Sequence, residues 1–429
     1  MPDTEFRPEP FTLRTDPAAL DDLRRRLRAT RWPDAIDDAG WTLGADVDYL
    51  RELVDHWAND FDWPAQEAAL ARLPHFRATL GGHGHGDGGH GDGGGDDGHG
   101  HGGHGHGGGH GHGGGDGGAS DHPLAIHYVH ARAATGTRPL PLVLTHGWPD
   151  SFWRYTKVIP LLTDPGVHGA DPADAFDVVV PDLPGYGYSE RPTDRPRSSI
   201  DVAALWAELM HGLGYPRFVA AGGDIGSHVS RYLALDHPDS VIAVHRTDAG
   251  LPRYSGDAAD LTPEERQWID DSAHWAATEG AYGALHRTKP QTAAIGLTDS
   301  PAGLASWIVE KLRSWSDCGP EGDLESVYTK DEILTNVMIY WLTETIGSSM
   351  RMYHANAAIP PEQLARRVEV PSGFSLFPGD IMRPPRAWIE RTANAVRVTE
   401  PARGGHFAAF EQPELYADEL RAFFRPFRD

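Results

Sequence analysis

The chain has 429 residues and a formal net charge of −24, from 38 Lys and Arg against 62 Asp and Glu. That charge favours solubility and argues against a nucleic-acid or anionic membrane partner. The length permits a full hydrophobic core and more than one domain. The single cysteine, Cys318, excludes an intramolecular disulfide and is compatible with a reducing compartment. We therefore expect a cytoplasmic protein without a membrane anchor.

Residues 1–80 predict a helical N-terminal region. Asp16 is suited to cap a helix and Pro17 to occupy its first turn. Leucines at positions 20, 23 and 27 then follow at helical spacing. Tryptophans recur through the same region, and we interpret them as packing anchors because that is the commoner role of a buried indole.

Residues 81–118 form a low-complexity tract of 24 Gly, 9 His and 5 Asp. Such a tract has nothing apolar to bury, so a disordered insertion is predicted over residues 81–121. The strand-like segments 74–80 and 123–130 flank it, which predicts a hairpin with a long loop in place of its turn. An inert linker is the favoured role. The alternative is transition-metal binding by His-x-His pairs, namely His83, His85, His104, His106, His110 and His112.

From residue 123 onwards, short runs rich in β-branched residues alternate with helical stretches. This alternation predicts a mostly parallel sheet covered by helices on both faces. It breaks at residues 251–366, where helices rich in Trp and Tyr predict an inserted lid. The core would then consist of two parts, 122–250 and 367–429. The strand candidates are 141–145, 176–180, 217–221, 241–244, 373–377 and 396–399.

The segment Gly222-Gly223-Asp224-Ile225-Gly226 lies between a strand candidate and a helix candidate. A strand, Gly-x-nucleophile-x-Gly and a helix form the nucleophile elbow of α/β-hydrolases. Glycines are needed because the turn is too tight for side chains beside the nucleophile. An aspartate at this position forms an alkyl ester with an electrophilic carbon. The expected substrates are therefore epoxides or alkyl halides.

Two further polar residues follow later strand candidates in the order that this fold uses. Asp380 lies in Phe-Pro-Gly-Asp, and His406 lies in Arg-Gly-Gly-His-Phe. Alone, each has an ordinary alternative, a turn aspartate or a packed loop histidine. Together with Asp224 they predict a catalytic triad. The oxyanion hole is predicted to use the backbone N–H groups of Trp148, in His-Gly-Trp-Pro, and of Ile225.

Beyond these motifs, the chain resembles the microsomal and juvenile-hormone type of epoxide hydrolase over nearly all of its length except the His/Gly tract. The resemblance implies an α/β-hydrolase fold with a helical lid, no cofactor, and an epoxide and water as substrates. It also implies that two lid tyrosines, Tyr282 and Tyr353, hydrogen-bond the epoxide oxygen. Further matching stretches include Arg31-Trp32-Pro33, Glu279-Gly280-Ala281-Tyr282, Thr288-Lys289-Pro290, Asp299-Ser300-Pro301 and Leu334-Thr335-Asn336-Val337.

The chain departs from that family at three points. Ile225 stands where relatives often carry Trp, and Asp380 where mammalian members use Glu. The membrane-anchoring helix of microsomal relatives is not seen. Two alternative functions remain open from the sequence. A haloalkane or haloacid dehalogenase is less favoured, because Ile225 offers no indole N–H to a halide. A metal-buffering protein led by the His/Gly tract would have no need of a nucleophile elbow. Homo-oligomer formation is also open.

Overall fold

The structure is a computed structural model, and it describes residues 6–81, 122–134, 138–250 and 258–428. The six histidines of the predicted metal-binding pairs lie outside the described residues. The disorder predicted over residues 81–121 also concerns residues outside the described ranges, except for residue 81.

One nine-stranded sheet forms the centre of the molecule, in the order β1-β2-β3-β5-β4-β6-β7-β8-β9. The five pairings from β5 through β9 are parallel, and the three at the β1 end are antiparallel. The mostly parallel sheet is thus confirmed. The strands are β1 Glu9–Pro10, β2 His75–Leu80, β3 Leu124–Ala131, β4 Leu140–Thr145, β5 Phe176–Pro181, β6 Phe218–Gly222, β7 Val241–Arg246, β8 Val368–Ser375 and β9 Ala393–Thr399.

Helices cover the sheet and extend beyond it, and none in the described part of the chain is both long and apolar enough to cross a bilayer. The helices are α1 Pro17–Arg28, α2 Val47–Asn59, α3 Trp63–Leu70, α4 Val158–Thr163, α5 Ser199–Gly212, α6 Ile225–Asp236, α7 Pro263–Thr278, α8 Ala281–Thr288, α9 Pro290–Asp299, α10 Pro301–Trp315, α11 Lys330–Thr343, α12 Ile346–Ala357, α13 Pro361–Leu364, α14 Arg386–Thr392, α15 Ala408–Glu411 and α16 Pro413–Phe424.

The core lies on both faces of the central strands. All six residues of β5 are buried, and so are five of the six in β4. In a sequence, a strand that is buried on both faces appears as a nearly continuous run of apolar residues and not as an alternating pattern. This pattern predicts both strands from the sequence. The carboxyl ends of β4, β6 and β8 point to one edge of the sheet, where their following loops meet.

The N-terminal helices begin as the sequence predicts. The Asp16 side chain accepts a hydrogen bond from the N–H of Ala18 and caps α1, whose first residue is Pro17. Strands β2 and β3 pair antiparallel with Leu80 opposite Leu124, so the predicted hairpin is confirmed. The predicted strand 373–377 is displaced, because β8 begins at Val368 and ends at Ser375.

Seven helices, α7 to α13, lie between β7 and β8 in the described residues. Two of them begin with a reciprocal capping box, at Thr262 with Glu265 and at Thr329 with Glu332. Each box satisfies backbone donors that a helix start would otherwise leave unpaired. The inserted helical lid of the sequence prediction is therefore present.

Candidate active site

Asp224 lies in the turn between β6 and α6, with φ +55° and ψ −129°. This left-handed φ is uncommon for a residue with a side chain and costs conformational energy. The turn is also too crowded for side chains on its neighbours. A Cβ on Gly226 would lie 1.9 Å from the carbonyl oxygen of Thr145, and one on Gly222 would lie 2.5 Å from the carbonyl carbon of Gly226. The predicted elbow geometry is thus present around Asp224.

The two carboxylate oxygens of Asp224 have different surroundings. Oδ1 accepts a hydrogen bond of 2.8 Å from the backbone N–H of Trp148. Oδ2 lies 3.5 Å from Nε2 of His406, an ion-pair contact. The loop after β4 approaches closely because it has no side chain at Gly147, where a Cβ would lie 2.3 Å from Asp224 Oδ1. Oδ1 is therefore held by the backbone, and Oδ2 is left for reaction.

The histidine and the second aspartate meet at the same edge of the sheet. Nδ1 of His406 lies 2.7 Å from Oδ1 of Asp380, while Nε2 of His406 faces Asp224. Asp380 in turn accepts a hydrogen bond from the N–H of Ile381. An imidazole that donates through Nδ1 to a carboxylate presents Nε2 to the nucleophile, which is the arrangement of a Ser-His-Asp triad. The structure thus brings together the three predicted triad residues.

Burial disfavours charge on Asp224 and His406, yet their mutual attraction outweighs it. The pKa of Asp224 is lowered to about 2 despite burial, by the His406 imidazole and by the N–H groups of Trp148 and Ile225. The pKa of His406 is raised to about 10 despite burial, by Asp380 and Asp224. The resting pair is therefore a carboxylate beside an imidazolium. Loss of the charge on Asp224 would remove one of the two interactions that raise the pKa of His406.

Tyr282 of α8 and Tyr353 of α12 are held beside Asp224 by aromatic packing. The Tyr282 ring stacks on the indole of Trp148, with centroids 5.3 Å apart and planes 11° apart. The Tyr353 ring meets the same indole edge to face at 6.0 Å. His286, one turn after Tyr282, packs against both phenol rings. Burial raises the pKa of both phenols, and the negative Asp224 raises it further, so both stay protonated and able to donate.

A cavity of about 280 Å³ lies over Asp224 and is lined by both tyrosines and His406. Its wall also carries His228 and Asp248, which sequence reasoning did not single out. Burial raises the pKa of Asp248 and lowers that of His228. The lining also includes Arg231 and Arg287 beside apolar side chains such as Trp275 and Leu364, a mixture of polar and apolar groups that is usual in small-molecule sites.

Comparison with known proteins shows the family and the fold of the chain. The family model described as "Epoxide hydrolase N terminus" matches residues 8–87 and 119–155, and that of the "alpha/beta hydrolase fold" matches residues 141–294. A protein of Stigmatella aurantiaca is 38% identical over 98% of this chain and 85% of its own length. Epoxide hydrolase 1 of Sus scrofa is 31% identical over 96% of this chain and 88% of its own length.

A solved structure gives the same result at the level of the fold. The juvenile hormone epoxide hydrolase of the silkworm Bombyx mori matches with a TM-score of 0.77 and 25% identity, over 98% of this chain and 94% of that one. The chain belongs to the epoxide hydrolase family and has the α/β-hydrolase fold. The resemblance drawn from its motifs is confirmed, and neither the dehalogenase nor the metal-buffering alternative gains support.

Proposed function

We propose that this protein converts an epoxide to a vicinal diol through a covalent ester on Asp224. The observation that supports this most strongly is the environment of the Asp224 carboxylate. One oxygen is held at 2.8 Å by a backbone N–H and the other faces an imidazole 3.5 Å away, in a cavity that two protonated phenols also line. Such a carboxylate is ionised, fixed in direction and opposite a pair of donors.

In the first step Tyr282 and Tyr353 donate hydrogen bonds to the epoxide oxygen. Oδ2 of Asp224 attacks a ring carbon from the opposite side, and the carbon–oxygen bond of the ring breaks. The departing oxygen takes its proton from a tyrosine, so no free alkoxide leaves. Because Oδ1 is held by the Trp148 N–H, it becomes the carbonyl oxygen of the new ester.

In the second step the ester is hydrolysed by water. Esterification removes the negative charge of Asp224, so the pKa of His406 falls. Its proton passes through solvent to the tyrosinate left by the first step, which restores the phenol. Neutral His406, oriented by Asp380, then takes a proton from water as the water attacks the ester carbonyl carbon. The N–H groups of Trp148 and Ile225 stabilise the oxyanion, and single donors of this kind are typically worth about 100- to 1000-fold in rate. When the tetrahedral intermediate collapses, the departing diol oxygen takes the proton back from His406. The Asp224 carboxyl group that remains then gives its proton to His406, which restores the carboxylate and the imidazolium.

We also propose a cellular location for the enzyme and a division of its chain into segments. We place it in the cytoplasm because its net charge and single cysteine fit a reducing, soluble compartment. It needs no cofactor for the two steps above. We propose that the chain has a two-part core and three further segments. These are the helical N-terminal region, the His/Gly-rich insertion over residues 81–121 and the lid over 251–366.

The proposal is tested by following diol formation from terminal, disubstituted and bulky aromatic epoxides. We expect at least one of them to be converted by the parent protein with or without a chelator. His406→Gln should retain alkylation but lose ester hydrolysis, because only the second step needs the base. Intact-protein mass spectrometry should then show an adduct heavier by one substrate mass. Rapid turnover by the variant with no adduct would show that His406 has another role.

A further inference from the structure

Glu411, at the end of α15, accepts hydrogen bonds from the N–H groups of both residues that flank His406. Its Oε1 accepts a hydrogen bond of 2.8 Å from the N–H of Phe407, and its Oε2 accepts one of 3.0 Å from the N–H of Gly405. Oε2 also accepts a third, of 2.8 Å, from the N–H of Asp317. Burial raises the pKa of Glu411 to about 7, while the three N–H donors act in the opposite direction and favour the carboxylate. Above that pH the ionised side chain makes charge-assisted hydrogen bonds, which are shorter and stronger than neutral ones and fix the histidine loop.

The rest of the histidine loop is fixed by the segment that follows helix α10 of the lid. The N–H of His406 donates to the carbonyl oxygen of Trp315 at 2.7 Å, and the N–H of Gly404 donates to Oδ2 of Asp317 at 2.9 Å. The loop has no room to move, since a Cβ on Gly405 would lie 2.6 Å from the Trp315 carbonyl oxygen. The one carboxylate of Glu411 thus joins the histidine loop to the lid.

The histidine carbonyl is bound from the opposite side. The Arg154 guanidinium donates through Nη2 to the carbonyl oxygen of His406 at 2.5 Å, and its Nε lies 3.0 Å from Oδ2 of Asp150. The backbone around His406 is therefore held from the lid, from the core and by Glu411. The three hydrogen bonds of Glu411 go to backbone N–H groups of the histidine loop and of Asp317, and none of them goes to Asp224 or to either tyrosine.

We propose that Glu411 is a positioning residue for His406, and that it serves the ester-hydrolysis step while leaving alkylation nearly unaffected. This inference rests on the proposed role of His406 as the base. Only the second step needs Nε2 of His406 aligned with a water above the ester carbonyl. A displacement of a catalytic group by about 1 Å can lower a rate by about 100-fold. Loss of the carboxylate should therefore separate the two rates.

The test measures the two steps separately in Glu411→Gln, by rapid quenching of a single turnover of the panel epoxide that the parent converts fastest. Gln keeps the size of the side chain but replaces one acceptor oxygen with a donor that faces a backbone N–H. We expect alkylation within about 2-fold of the parent and hydrolysis slowed by about 10- to 100-fold, so that the adduct accumulates. Glu414→Gln, an exposed glutamate three residues away, is the matched control and should behave as the parent.

Each other outcome has a definite meaning. If both steps slow equally, or neither changes, Glu411 does not position the base and the inference is wrong. If Glu411→Gln does not fold, Asp317→Asn decides, because it weakens the Gly404 contact from the lid side and should give the same separation of rates. His406→Gln is measured in parallel. An adduct in that variant but not in Glu411→Gln contradicts only this inference, whereas no adduct in either contradicts the proposed mechanism.

Discussion

The carboxylate of Asp224 is held by neighbours that lie far away in the sequence. Trp148 precedes it by 76 positions and donates a backbone N–H, while its indole holds the ring of Tyr282. His406 follows by 182 positions and stabilises the carboxylate charge. The same residue, Trp148, thus contacts the proposed nucleophile through its backbone and the proposed proton donor through its side chain. A change at its ring should affect the first step more than the second.

The two lid tyrosines provide the prediction that belongs to the residue scale. Both phenols stay protonated in the cavity and can donate to the epoxide oxygen. Tyr282→Phe and Tyr353→Phe should each slow adduct formation, because one donor of an oxyanion-type site is typically worth about 100-fold or more and the remaining phenol compensates in part.

The double variant Tyr282→Phe and Tyr353→Phe should alkylate very slowly while staying folded. Circular dichroism and the unfolding midpoint provide the control, since Phe keeps the aromatic packing against Trp148. A folded double variant that alkylates at the parent rate would show that the epoxide oxygen is held elsewhere. The proposal that both tyrosines bind the epoxide oxygen, which rests on the family resemblance and not on residue spacing, would then be wrong.

At the scale of elements, the strands and the elbow were predictable from the sequence because their signals are local. Apolar runs identify β4 and β5, and two glycines around Asp224 identify a turn in which a side chain would collide with Thr145. The positions of Asp380 and His406 after strand candidates were also sufficient to predict that both residues lie near Asp224. Parallel strands bring their carboxyl ends, and the loops that follow them, to one edge of the sheet.

Other features of the site were not predictable, because they depend on packing between distant elements. Glu411 looks like an ordinary helix residue in the sequence, and only the fold places its carboxylate under Gly405, Phe407 and Asp317. His228 and Asp248 reach the cavity wall from α6 and from the segment after β7. The predicted start of β8 is wrong for a local reason, since Glu369 and Pro371 interrupt the apolar residues at its beginning.

At the scale of the whole molecule, buried histidines should govern stability in mild acid. Burial lowers the pKa of His75 and His130 to about 4 and that of His245 and His286 to about 3, against an ordinary value of 6.5. Below pH 6.5 the unfolded chain therefore binds protons that the folded one does not. As the pH falls below 6.5, each of these groups therefore lowers the free energy of unfolding by about 1.4 kcal/mol per pH unit. This loss ends when the pH reaches the pKa of the group in the folded protein.

His406 acts in the opposite direction. Its folded pKa is raised to about 10, so the stability that it contributes is fully present below pH 6.5 and is lost as the pH rises towards 10. Urea unfolding from pH 5 to pH 9 should therefore show a maximum of stability near neutrality.

The contribution of a single buried histidine can be isolated by substitution. His245→Asn should flatten the acid side of the stability profile by about 1.4 kcal/mol per pH unit, whatever its cost at pH 7. The exposed His168 gives the control variant, His168→Asn, whose profile should match the parent. An acid slope unchanged in His245→Asn would show that this histidine is already protonated in the folded state.

The covalent ester on Asp224 is the central claim, and a single turnover in heavy-oxygen water tests it most directly. Enzyme in excess over epoxide is quenched after one turnover, and both the peptide that contains Asp224 and the diol are analysed by mass spectrometry. If Asp224 is the nucleophile, the label enters its carboxylate and the diol receives an unlabelled oxygen from the protein. Label in the diol alone after that first turnover would mean that water attacks the epoxide directly, and the proposed mechanism would be wrong.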